Sequence, residues 1–150
     1  MKKILFALLA CVVAFASCSK DDDDDYDFNM IEGSWGLVHS EGYENDDPDE
    51  PLEWNFNCNP LNPSSYNDAR MDIVKIEGNK YYRVDYYWSE YSKKWVKDQE
   101  YTFTINGNKV IPDDEEGVNI KILDLTSTSM TLEVKEGSTY YVKAIFKKLN

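Results

Sequence analysis

The sequence predicts an all-β domain, a small eight-stranded antiparallel up-and-down (meander) barrel. Three observations carry this. Beyond the first thirty residues, short runs rich in Tyr, Trp, Val, Ile and Thr alternate apolar with polar, and no useful stretch repeats its apolar residues at helical spacing. Turn pairs such as Gly78-Asn79 and Asn106-Gly107 cut these runs at hairpin spacing. Successive hairpins give a meander, and pairing the last strand with the first removes both edges.

The elements follow in order. Asp27 to Glu32 suits a short helical lead-in, and a first strand spans Ser34 to Gly42. A long irregular segment, Tyr43 to Ala69, holds Pro48, Pro51, Pro60 and Pro63; loops of this length are often functional. The second strand, Arg70–Glu77, sets Met71 and Ile73 on one side and Asp72, Val74 and Ile76 on the other. In the third, Lys80–Ser89, the even positions Tyr82, Val84, Tyr86 and Trp88 should point inward. A polar turn, Glu90–Lys93, leads to a fourth strand in which Trp95, Tyr101, Phe103 and Ile105 share one parity. The fifth, Lys109–Ile111, stops at Pro112. The sixth, Val118–Leu125, turns Val118, Ile120 and Ile122 inward, and the switch to Leu123 and Leu125 calls for a bulge. The seventh, Ser129–Lys135, points Met130, Leu132 and Val134 inward. Gly137-Ser138 then turns into the eighth, Thr139–Lys147, with Tyr140, Val142, Ala144 and Phe146 inward. An eight-stranded barrel can be filled by side chains or hold one small ligand.

Ahead of the barrel, Met1-Lys2-Lys3 precedes an apolar run from Ile4 to Phe15 and then Ala16-Ser17-Cys18. The run is shorter than the roughly 20 residues that span a bilayer and suits the core of a secretory signal. The segment resembles a lipoprotein signal, with residues 1–17 removed and Cys18 acylated. In that resemblance Phe15 and Ser17 stand where an aliphatic residue and Gly or Ala are usual. Ser19, Lys20, Asp21, Asp22 and Asp23 resemble the signal that routes some Gram-negative lipoproteins to the outer face of the outer membrane. With Asp24 and Asp25 they make a charged, extended tether. The expected organisation is signal 1–17, acylated cysteine and acidic tether 18–30, and barrel 31–150. The expected location is the outer membrane, lipid-anchored through Cys18 and exposed at the cell surface.

The formal net charge of −12 argues against nucleic acid, whose phosphates require neutralising lysine and arginine. It favours solubility as a monomer or a cationic partner. Cys58 is left without a second cysteine once Cys11 and Cys18 are otherwise engaged, so no intrachain disulfide is expected. His39 is the sole histidine and stands on a strand, which suits a structural or solvent-facing role. No zinc set, hydrolytic triad or paired carboxylates stand out, so neither enzyme activity nor a cofactor is expected. Asp46-Asp47-x-Asp49-Glu50 lacks the spacing and turn glycine of a calcium loop and reads as a solvated acidic loop, as does Asp113–Glu116.

Gly33-Ser34-Trp35 stands at the start of the first strand, after the helical lead-in. It resembles the Gly-x-Trp motif of lipocalins, whose Trp plugs the closed end of the barrel. Tyr101-x-Phe103, Asn106-Gly107-Asn108, Ile122-Leu123-x-Leu125-Thr126-Ser127 and Tyr140 to Phe146 extend the resemblance to the lipocalin-like lipoproteins of bacterial cell envelopes. The resemblance implies that Gly33 and Trp35 form a structural plug. Three family features are missing: an arginine on the last strand (only Lys143, Lys147 and Lys148 are available), the usual disulfide, and a Thr-Asp-Tyr-type motif.

The aromatic excess, 11 Tyr and 4 Trp, either fills the core or lines a site. A site would lie at the open mouth, where Trp88, Tyr91 and Trp95 flank one turn and Trp54 and Phe56 form a lid on the long loop. The expected function is non-catalytic binding of a small hydrophobic or amphipathic ligand, or of a partner, at that mouth. The alternatives are a surface carbohydrate-binding module, marked by a coplanar exposed aromatic row, and a structural or interaction protein with a filled barrel.

Overall fold

The hairpins turn where the backbone needs a positive φ, which glycine supplies without strain: Gly78 sits at 68° and Gly107 at 58°. Between the turns, the computed structural model forms β1 (Gly33–Glu44), β2 (Leu52–Asn57), β3 (Arg70–Glu77), β4 (Lys80–Ser89) and β5 (Lys94–Asn106). Then follow β6 (Lys109–Pro112), β7 (Val118–Leu125), β8 (Ser129–Glu136) and β9 (Tyr140–Leu149). It describes residues 26–45, 52–65, 69–113 and 117–149. The signal segment, Cys18, the tether Ser19–Asp25 and the acidic tract Asp46–Glu50 lie outside the described residues, as does most of Asp113–Glu116.

The strands hydrogen-bond antiparallel in the order β2-β1-β3-β4-β5-β6-β7-β8-β9, and β1 also pairs with β9. Eight strands, β1 and β3 to β9, thus close an antiparallel barrel, as the meander requires. β1 carries two partners on one edge. Its first half, Gly33 to Gly36, pairs with β3. Its second half, His39 to Glu44, pairs with β2. β2 and β3 therefore lie end to end as two halves of one wall strand, parted by the excursion 58–69. Pro60 from that excursion packs on the outside of β1 at Gly36, where a Cβ would lie 2.3 Å from its ring.

This corrects the expectation of one irregular segment from Tyr43 to Ala69. Trp54 and Phe56 sit on a strand of the wall, not on a lid. Six residues among prolines and acids make too short an alternation to stand out from the loop composition around them.

A second correction concerns β4. Its odd positions face inward: Tyr81 packs against the core, and Arg83 and Asp85 line the lumen. The even positions expected inside share a face with Met71, Ile73 and Lys75 of β3 instead. Hydrophobicity alone favoured the even face, but Arg83 reaches carboxylates on both sides inside the barrel, and that pairing outweighs the alternation. Trp95 also leaves the parity of Tyr101, because the β4–β5 register shifts between Val84/Glu100 and Tyr86/Lys97. The expected bulge at Leu123 is present, and Leu125 behind it is buried.

Phe28–Ile31 forms a 3-10 turn capped by Asp27, whose side chain accepts from the Asn29 backbone N–H. It crosses the barrel end that holds the β3–β4, β5–β6 and β7–β8 turns, and Tyr26 Oη ties it to the Leu123 carbonyl at 2.9 Å. Beneath it the core gathers Ile31, Trp35, Ile122, Met130 and Phe146, all at most 5% exposed. This end is closed; the opposite end, with the β4–β5 and β8–β9 turns, is open.

Candidate functional site

Trp35 seals the base. It is fully buried, and its Nε1 donates to the Ile31 carbonyl at 2.7 Å. Lys148 stands where the lipocalin resemblance leads one to look for an arginine. Its Nζ lies 5.1 Å from the centre of the Trp35 ring and donates to the Met30 carbonyl at 2.9 Å. A cation over an aromatic face contributes about 0.5–2 kcal/mol. Gly33, at φ 136°, leaves room for that lysine, since a Cβ would lie 2.7 Å from Lys148 Cε.

Above the plug the lumen is open. A cavity of about 270 Å³ lies against β5 to β8, lined by Phe103, Val110, Ile120, Met130 and Val134 among others. A second, of about 610 Å³, lies against β1, β2 and β9, lined by Leu37, Trp54, Phe56, Val142 and Phe146 among others. The two share Asp72, Arg83, Leu132, Val134 and Tyr140, so they adjoin across these side chains. Leu52 at the rim of the larger cavity is 58% exposed, which marks its opening to solvent.

At the junction stands a cluster of charged and polar groups that sequence reasoning did not assemble. Asp72 on β3 and Asp85 on β4 are register partners, 2% and 8% exposed. Arg83 Nη2 lies 3.0 Å from Asp72 Oδ2, and its Nε lies 2.8 Å from Asp85 Oδ1. These are close charge contacts without aligned hydrogen bonds at Asp72 Oδ2, Arg83 Nε or Asp85 Oδ1. Tyr101 Oη donates to Asp85 Oδ2 at 2.8 Å, and its ring lies 5.6 Å from the Arg83 guanidinium.

Burial dominates the electrostatics. It pushes the Asp72 carboxyl up to about 7; Arg83 pulls it back and Asp85 pushes it further. Burial works against the charge on Arg83 as well, but Asp72 and Asp85 outweigh it and hold the guanidinium above its ordinary range. Tyr140 is also held up, first by burial. The signal available in the sequence was Asp72 itself, a carboxylate on the same parity as Val74 and Ile76.

The residues expected at the mouth divide. Trp54 and Phe56 line the larger cavity, and Trp54 Nε1 donates to Ser40 Oγ at 3.3 Å. Trp88 and Trp95 are cross-strand partners whose rings meet edge to face at 75°. They line neither cavity, and Tyr91 in the turn beside them is fully exposed. His39 Nδ1 lies 2.9 Å from Asn57 Oδ1, and its Nε2 lies 3.7 Å from Glu41. Cys58 is buried in the core just after β2. Among the described residues no group of three or more His, Cys, Asp or Glu side chains is placed to hold a metal ion.

A closed eight-stranded antiparallel barrel, with a buried Trp at one end and open at the other, is the lipocalin-like fold. Solved structures share it. A biogenic amine-binding protein superimposes with a TM-score of 0.55 at 14% identity, over 85% of this chain and 68% of that one. The cockroach allergen Per a 4 gives 0.53 at 7% identity, over 81% and 68%. The siderocalin Ex-FABP gives 0.51 at 14% identity, over 80% and 74%. At these identities the likeness is one of fold. No protein-family model matches the chain, and no curated protein matches it.

Proposed function

We propose that this protein is a non-catalytic, lipid-anchored binding protein that takes a small, largely apolar ligand into its barrel. The observation that carries this is the open, largely apolar lumen above the buried Trp35. Its larger cavity, about 610 Å³, falls within the roughly 300–1,000 Å³ usual for ligand sites. A filled barrel would leave no such space. Among barrels of similar fold, one is named for binding biogenic amines and another is a siderocalin described as having dual ligand specificities. The glycan-platform reading draws less support, because Trp88 and Trp95 meet at 75° and do not lie coplanar.

A neutral fluorescent probe, N-phenyl-1-naphthylamine, tests the lumen. Ala144 lines the larger cavity and is 9% exposed. Ala144→Phe should fill the space and weaken probe binding by about tenfold or more, while overpacking lowers stability by roughly 1–3 kcal/mol. A folded Ala144→Phe protein that binds the probe as well as the parent would refute lumen binding.

Anchoring through Cys18, at the outer membrane and facing outward, belongs to the same proposal. It rests on the signal-like segment, the small residues before Cys18 and the acidic tether. Cells fed labelled palmitate should label the parent chain and leave Cys18→Ser unlabelled. Equal labelling of the two would rule out that anchor. External protease should reach the barrel in intact cells if it faces outward.

A further inference from the structure

We infer that the lumen selects ligands bearing a protonated amine on an apolar body, with the ammonium seated at Asp72. This rests on the lumen-binding reading and adds the ligand's charge to it.

The argument begins with the balance of charge inside the barrel. Two buried carboxylates, Asp72 and Asp85, share the single guanidinium of Arg83. The other cation that lines either cavity is Arg70 at the rim, and Asp98 engages it at 3.3 Å. No lysine lines either cavity among the described residues. Asp72 lines both cavities, and its buried Oδ2 lies 3.0 Å from Arg83 Nη2 without an aligned hydrogen bond. A buried acceptor in that condition carries a desolvation cost that a bound donor would relieve. An anionic ligand would have to displace an aspartate from Arg83 and then face the remaining carboxylate.

The surroundings suit a cation as well. Trp54, Phe56 and Tyr140 line the cavity that Asp72 faces, and the rings of Trp54 and Tyr140 lie 6.2 Å apart. Their faces attract an ammonium ion. Leu37, Val142 and Phe146 offer apolar surface to the ligand's body. The chain's net charge of −12 favours the approach of cations.

The elevated titration of Asp72 adds a handle. Below pH 7 this carboxyl holds a proton in the empty barrel, and a bound ammonium must displace it. Affinity for amines should therefore rise with pH through about 7. The charged groups acting on Asp72 are Arg83, Asp85 and Arg70, and Tyr101 and Tyr140 line the cavities beside it. Arg83 and Tyr140 both titrate above their ordinary values and keep their protons in this window.

The test uses the mature chain, residues 18–150 made without the signal segment and carrying Cys18→Ser, so that no lipid or detergent competes. Decylamine, decanol and decanoate displace N-phenyl-1-naphthylamine at pH 8 and pH 5.5. Decylamine should bind about tenfold or more tightly than decanol at pH 8, as a charge-assisted hydrogen bond in a dry site implies. The preference should shrink at pH 5.5 and be lost in Asp72→Asn. Tightest binding of decanoate would overturn the inference and make Arg83 the anchor. Equal binding of all three would overturn it and leave lumen binding intact. Failure of the neutral probe and of decanol to bind would instead overturn lumen binding itself. If Asp72→Asn does not fold, the pH comparison on the parent chain decides alone.

Discussion

Replacing Trp35 by alanine is expected to lower the unfolding free energy by about 3–5 kcal/mol. Three losses add up at one position. The largest fully buried side chain of the described residues leaves a cavity in the base. The Ile31 carbonyl loses its 2.7 Å donor, and Lys148 loses the ring it stands over. The 3-10 turn Phe28–Ile31 then keeps only its outer ties, so fraying should begin there. Urea unfolding followed by far-UV circular dichroism measures the loss. Trp95→Ala is the comparison, because Trp95 lines neither cavity and its ring contact with Trp88 contributes at most about 1.5 kcal/mol. Equal losses at the two positions would contradict the role of Trp35 as the plug.

Arg83→Met should be comparably costly, about 3–5 kcal/mol, because it leaves two buried carboxylates without their cation. Its pH dependence is diagnostic. Folding raises the titration of Asp72 from 3.8 to about 7, so the folded chain binds a proton that the unfolded chain releases. The stability this contributes is complete at low pH and is lost as pH rises through 7. Arg83 offsets part of that loss by pairing with the ionised form. Without it, the penalty should be larger at pH 8 than at pH 5, where Asp72 carries its own proton. Adding Asp72→Asn should remove most of this difference. A penalty of the same size at both pH values would point to lost packing as the cause.

The fold was legible because its evidence is periodic. Alternation fixed the inward faces of β7, β8 and β9, and the glycine turns fixed where they reverse. The switch from Ile122 to Leu125 even marked the bulge at Leu123. The lumen was harder to read, for a physical reason. On β4 the apolar residues Tyr82, Val84 and Tyr86 lie on the outer side, while the barrel's own polar groups lie on the inner one. Alternation cannot tell a buried charge from a solvated one; only the partner across the sheet decides. Here the partner of Asp85 is Asp72, and Arg83 joins them. Trp54 and Phe56 were singled out as mouth residues, and they line the cavity. Their strand went unseen because its run is brief and lies among prolines and acids, although its partner β1 directly precedes it.

That strand has one more consequence, for how the protein behaves among its own copies. β2 stands at the end of the hydrogen-bonded order, paired with β1 alone. Backbone groups along its other edge are a template on which a second chain could add a strand. The stretch is only 6 residues long, and alternating with its aromatics it carries Glu53, Asn55 and Asn57, all exposed. Brevity, a repelling charge and polar amides blunt the exposed edge. The colloidal safety of an otherwise seamless wall thus rests on three side chains that touch neither the core nor the ligand space.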